Sequence, residues 1–425
     1  MLTALSLLVA CGGGGDDGSG STPPWVGTKQ FGTTANDVAH GITTDASGNV
    51  YLTGYTDGKL DGKATSGGSD LFIVKYDSSG VKQWTRQLGT AMNDVAAGIA
   101  TDASGNVYVT GYTNRGLDGN DHIGSQDIFV VKYDNAGVKQ WTQQLGTLTS
   151  DVARGIATDT SGNVYVTGYT DGNLDVNPSS GAADIFVVKY NSAGNQLWIK
   201  QLGTTETDFA NGITTDTSGN VYLTGFTQGG LDVFANNGSN DIFVVKYDND
   251  GNQQWIKQLG TAETDFANGI TADASGNVYV TGYTTGDLDG IPHIDTQDIF
   301  LVKYDSAGNQ LWIKQFGTEL NDQANGTTTD ASGNIYVTGY TNSSLDGNTS
   351  SGAADIFVVK YNSVGEKQWT RQLGTAGTDI ARGTATDASG NVYITGETTG
   401  GLDGNTSSGG VDMFIIKYNN AGVKQ

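Results

Sequence analysis

Apolar and polar positions along this chain fall into short runs, and the runs recur as a set of four. In the stretch that opens at Gly98 they read GIATD, VYVTGYT, DIFVVKYD and KQWTQQLG. None carries the 3.6-residue period of an amphipathic helix, and each is strand-sized and rich in Val, Ile, Tyr, Phe and Thr. The first and second runs are joined by Ser-Gly-Asn and the third and fourth by Asn-Ala-Gly, residues that supply the positive φ a tight hairpin needs. The second and third runs are apolar nearly throughout, the mark of strands covered on both faces. A longer, variable stretch separates those two, so each set predicts four antiparallel strands with two short turns on one side and long loops on the other.

The set repeats without slipping. Trp84, Trp141, Trp198, Trp255, Trp312 and Trp369 stand 57 residues apart, and Asn49 recurs at the same interval through Asn391 in seven copies. Four strands repeated seven times predict an all-β, seven-bladed β-propeller spanning residues 25–425. A solenoid is the rival, but it would need atypical capping repeats, and none are visible. The last unit stops at Val423-Lys424-Gln425, before its Trp strand, while a spare strand, WVGTKQFGT, runs from Trp25 to Thr33 ahead of the first unit. The N-terminal strand is therefore expected to complete the seventh blade and close the ring. Stepping back one period from Trp84 lands on Gly27, so Trp25 must reach the Trp slot from two residues away.

The string GI(A/T)TD(A/T)SGNVYVTGYT…DIFVVKYD resembles the bacterial β-propeller repeat called SBBP, and its first hairpin is more weakly similar to NHL-type propellers. The resemblance covers residues 25–425 and implies a seven-bladed propeller on a secreted or surface-attached protein. It brings no catalytic residues with it.

Charge narrows the partners. With 45 acidic against 22 basic residues the net charge is −23, which excludes nucleic acid as a ligand, since phosphate binding needs clustered Lys and Arg. One Cys rules out an internal disulfide and a Cys-based zinc site. That residue, Cys11, follows Leu8-Val9-Ala10 in the shape of a lipoprotein signal. Residues 1–10 are thus expected to be a signal peptide, Cys11 the lipidated residue, and 11–24 a Gly- and Ser-rich tether. With Gly12 rather than Asp next, the expected location is the outer membrane or surface of a bacterial envelope, the membrane being met only through the lipid.

Candidate chemistry divides into repeated and unrepeated positions. Asp37, Asp94, Asp151, Asp208, Asp265, Asp322 and Asp379 precede the first strand of every blade. They read either as a carboxylate ring around the channel that binds a cation, calcium being the candidate cofactor, or as caps of the turn into that strand. Further Asp sets begin at Asp45, Asp61 and Asp70; three of the four sets fall on the long-loop side, which is expected to be acidic. Symmetry breaks just before the first-strand Gly, where the chain carries His40, Ala97, Arg154, Asn211, Asn268, Asn325 and Arg382. That position should line the channel mouth. His122 and His293 share one slot of the long loop, and Glu397 replaces an aromatic found as Tyr55 in the first blade. No spacing matches a Ser-His-Asp triad or a paired-carboxylate site.

The sequence therefore predicts a monomeric, non-catalytic binding propeller that takes a protein or glycan at its acidic loop face. The alternative is a glycan hydrolase or lyase with its site at the channel mouth, and a third reading is a calcium-dependent lectin-like binder.

Overall fold

A computed structural model describes residues 25–174, 179–294 and 296–425. Cys11 and the expected tether lie outside the described residues. The chain forms seven four-stranded antiparallel sheets with no α-helix among the described residues. In the first blade the strands run Asp37–Thr44, Val50–Thr56, Asp70–Tyr76 and Lys82–Leu88, paired in that order from the inside outward. The seven innermost strands touch one another in a closed ring, Asp37–Thr44 lying between Asp94–Thr101 and Asp379–Thr386.

Apolar side chains bind blade to blade. Tyr51, Leu71 and Ile73 of the first blade are buried together with Ile99, Val107, Val109 and Phe129 of the second, and Trp84 packs against the same cluster. Trp84 lies 6.0 Å from Tyr51 and donates its Nε1–H to Asn135 O at 3.2 Å, in the turn of the next blade. The Trp ladder is thus a row of inter-blade struts, half-buried at the rim.

The seventh blade is closed by both ends of the chain. Lys29–Phe31 pairs antiparallel with Asp412–Tyr418, in the register Lys29↔Ile415. Lys424 bridges to Tyr418, and Gln425 N–H donates to Lys417 O at 2.9 Å, so two C-terminal residues begin the outermost strand that three N-terminal residues finish. The side-chain bonds that tie a regular outer strand to its own blade are kept, while Trp25 Nε1–H donates to Gly27 O instead of to the next blade. Lys424 pairs with Asp403 and Thr28 donates to it, as Lys82 and Thr85 do to Asp61. Gln30 bonds Leu402 N and Asp412, as Gln87 bonds Leu60 N and Asp70. Trp25 fills the seventh Trp slot from outside the strand. Gly27, at φ +65°, turns the chain so that the indole sits 5.5 Å from Tyr393 and against Gly80, with 4% of its surface exposed.

The short-turn side is built seven times alike. Asp45 Oδ1 accepts from Ser47 N and Asn49 N at 2.9 Å, and Oδ2 accepts from Asn49 Nδ2 at 2.7 Å and Tyr51 OH at 2.9 Å. One carboxylate thereby fixes the hairpin and anchors a buried tyrosine. The single Asp248-Asn-Asp250-Gly-Asn252 turn is the same device between the third and fourth strands, with Asp248 Oδ1 accepting from Asp250 N and Asn252 N.

Candidate functional site at the channel mouth

The variable position is a β-bulge in every blade. In the first blade Ala39 pairs with Gly54 and Gly41 with Thr53, leaving His40 with no partner opposite; the same shift isolates Ala97, Arg154, Asn211, Asn268, Asn325 and Arg382. A bulge re-aims a side chain without ending the ladder. It depends on Gly54, where a Cβ would lie 1.9 Å from Val38 O. These bulge residues line a cavity of about 590 Å³ at the channel mouth. A second cavity of about 520 Å³ shares His40, Ala97 and Arg154 with it.

The bulge side chains also tie neighbouring blades together. Asn211, Asn268 and Asn325 donate Nδ2–H to Ala267 O, Ala324 O and Ala381 O at 2.8–2.9 Å. His40 makes the matching bond from Nδ1 to Ala96 O at 2.8 Å. Burial, with Arg382 nearby, lowers the His40 pKa to about 4, so the ring is neutral near pH 7. Arg382 and Glu397 form a 2.6 Å ion pair, so two symmetry-breaking residues of the seventh blade prove to be one substitution in two parts. Arg154 is exposed, its guanidinium 5.4 Å from the Tyr169 ring and 5.5 Å from that of Phe209.

Phe209, Phe266 and Gln323 also line the mouth and were not among the expected site residues. They follow the repeated Asp in blades four to six, where the first three blades carry Val and the seventh carries Ile. That departure from Val was the available signal; without knowledge of the bulge, its direction could not be read.

One expectation needs correction. Asp37, Asp94, Asp151, Asp208, Asp265, Asp322 and Asp379 do not form a ring around the channel: all are fully buried inside their blades. Asp37 accepts from Thr56 Oγ1 on one oxygen and from the backbone and hydroxyl of Thr33 on the other, so it caps the turn into its strand and holds the end of the neighbouring strand. Burial raises the Asp37 pKa despite these bonds. Among the described residues no three of His, Cys, Asp or Glu come together to hold a metal ion. The Asp70 set is buried too, and Asp61 lies against the outermost strand, paired with Lys82 at 2.6 Å. His122 and His293 sit in the outer loops and line neither mouth cavity; their Nδ1 atoms lie 3.2 Å from Asp127 and 2.5 Å from Asp287.

The beta-propeller repeat model SBBP matches residues 26–61, 83–118, 140–175, 197–232, 254–289, 311–346 and 368–403, more than half of the chain. The chain belongs to the SBBP β-propeller repeat family. Each SBBP match opens on the outermost strand of one blade and ends in the loop after the second strand of the next, so the family unit straddles a blade junction. This SBBP propeller is 27% identical over 435 residues to the uncharacterized WD repeat-containing protein L264 of Acanthamoeba polyphaga mimivirus, covering 78% of this chain and 31% of that protein. It is 26% identical over 426 residues to the regulatory protein FlaEY of Caulobacter vibrioides, covering 87% and 44%. It therefore spans less than half the length of either relative. Among solved structures, the WD40 domain of Neurospora crassa Pan2 superposes with a TM-score of 0.51 at 11% identity, over 92% of this chain and 97% of that one, a likeness of fold.

Proposed function

We propose that this SBBP propeller is a non-catalytic binding module and that its ligand docks at the channel mouth on the long-loop face. One observation carries the reading. The bulge residue changes from blade to blade within an otherwise regular innermost strand, and the bulge residues of all seven blades face one shared cavity. Loops and irregularities held on a rigid frame are where binding residues concentrate. The WD-repeat relative and the WD40 neighbour support an interaction role. The hydrolase or lyase reading has less support, because Glu397, on which it leans, is engaged by Arg382. Calcium, if it takes part, would do so through surface carboxylates such as Asp57 rather than through the Asp37 set. Anchoring belongs to the same proposal: a lipid on Cys11 and the 12–24 tether would hold the propeller at the envelope surface, and Cys11→Ser should release it to the soluble fraction.

The test is a filled mouth. Asn268→Trp places an indole in the cavity from a half-buried bulge position and gives up the bond to Ala324 O. Binding on protein and glycan arrays should be lost in this variant, with a cooperative thermal melt showing that it is folded. Array binding that survives the substitution places the ligand elsewhere.

A further inference from the structure

The mouth is lopsided in its chemistry. On one arc, five aromatic rings from blades three to five run in contact, stacked, tilted or edge to face. Tyr169 lies 3.9 Å from Phe209 at an interplanar angle of 13°, Phe209 5.1 Å from Phe226, Phe226 4.3 Å from Phe266, and Phe266 5.2 Å from Tyr283. Four of the five are only half-buried, Phe226 being 8% exposed. Beside this arc stand the carboxamides of Asn211 and Asn268. Each spends one N–H on the next blade, at 2.9 Å, and keeps a carbonyl oxygen and a second N–H. At one end Arg154 lies against Tyr169 and Phe209 and makes no ion pair among the described residues.

An exposed, unpaired Arg on a chain of net charge −23 is not part of a general cationic surface. A guanidinium held against aromatic faces keeps its planar fork available to a carboxylate. Half-buried aromatic rings suit the C–H face of a pyranose ring. Carboxamides with both a donor and an acceptor left suit hydroxyls, which also do both. Resting on the channel-mouth reading above, we propose that the mouth binds an acidic saccharide, with its ring against Phe209 and Phe266, its hydroxyls at Asn211 and Asn268, and its carboxylate at Arg154.

The test is calorimetric titration of the full propeller with a galacturonic acid trimer and with a neutral galactose trimer. The acidic trimer is expected to bind at one per chain and at least tenfold more tightly than the neutral one. In Arg154→Gln the two should bind alike, and in Phe266→Ala both should weaken at least tenfold, with thermal melts showing both variants folded. Should either variant unfold, Asn211→Ala is titrated in its place and should weaken both trimers. Equal binding of the two trimers to the unaltered protein, or no binding of either, overturns the proposal. If no saccharide binds while Asn268→Trp abolishes capture of an array protein, the saccharide inference falls and the channel-mouth reading stands. If Asn268→Trp changes no binding on the arrays, both fall.

Discussion

Asp37 and His40 are three residues apart on one strand and belong to different parts of the molecule. Asp37 is fully buried, spends both oxygens on Thr33 and Thr56, and recurs unchanged in all seven blades. His40 is the bulge residue, opens on the channel, and is His, Ala, Arg, Asn, Asn, Asn and Arg around the ring. A side chain whose partners lie in its own blade must be the same in every blade, because the blade is the same. A side chain that faces the space all blades share has no such constraint. The bulge converts the first situation into the second within three residues of strand.

If the repeated positions are the frame and the bulge positions are not, substitutions should separate into large and small effects. The largest should come where the frame is unique. Trp25 is nearly fully buried and closes the ring between Tyr393 of the last blade and Tyr76 of the first. Trp25→Ala should cost about 3–5 kcal/mol, the range for a buried large-to-small change. Trp198→Ala removes a half-buried strut at the rim and should cost about 1–3 kcal/mol. Chemical denaturation of the two variants measures both, and equal losses would show that closure has no special weight.

Next comes the hairpin carboxylate. Asp216 takes Ser218 N and Asn220 N on one oxygen, and Asn220 Nδ2 and Tyr222 OH on the other. Asp216→Ala strands a buried tyrosine hydroxyl and frees the turn, for about 2–4 kcal/mol. A melting temperature within a degree of the parent would mean the carboxylate is dispensable and the sevenfold repetition has another cause.

This division was only partly legible in the sequence. The period of 57, the strand runs and the missing outer strand of the seventh blade are stated by residues that recur, so the architecture and its closure could be read directly. The channel-mouth position could be read because it is the irregular slot in a regular unit. Whether Asp37 faces the channel could not be read, since a carboxylate that caps and a carboxylate that ligates look alike until Thr33 and Thr56 are placed around it. The bulge was hidden for a similar reason: Ala39-His40-Gly41 reads as ordinary strand unless its pairing with Gly54 and Thr53 is known. Without it, Phe209 and Phe266 pass for core.

His40 tests whether a bulge residue also serves the frame. Burial, then the nearby Arg382, holds its pKa near 4, below the usual 6.5; Arg154 acts the same way, and Glu397 and the Ala96 bond oppose it. The unfolded chain therefore takes up a proton that the folded protein refuses. The contribution of His40 is complete above pH 6.5 and is lost as pH falls from 6.5 toward 4. The buried Asp37-type carboxyls, whose pKa values are raised, change stability in the opposite sense as pH falls, so the comparison must be made between variants. His40→Asn keeps the bond to the next blade, as Asn211 does at 2.9 Å, and cannot titrate. Between pH 6.5 and 4 the parent should lose about 1–2 kcal/mol more than the variant, after allowance for the partial exposure of the ring. Parallel pH profiles would show that His40 is solvated in solution and contributes no strain.

The smallest effect should belong to Arg154. Its guanidinium is exposed and lies against the Tyr169 and Phe209 rings, contacts worth about 0.5–1 kcal/mol at the surface. Its backbone stays in the bulge whatever side chain it carries, as Ala97 shows in the neighbouring blade. Arg154→Ala should therefore change stability by less than about 1 kcal/mol. Asp151, three residues earlier on the same strand, is fully buried, and Asp151→Ala removes the acceptor for Thr147 and Thr170, an expected loss of about 2–3 kcal/mol. The paired measurement decides the point within one blade. If the arginine proves as costly as the aspartate, the bulge side chain is part of the frame, and variation at the mouth reflects packing between blades instead of a ligand.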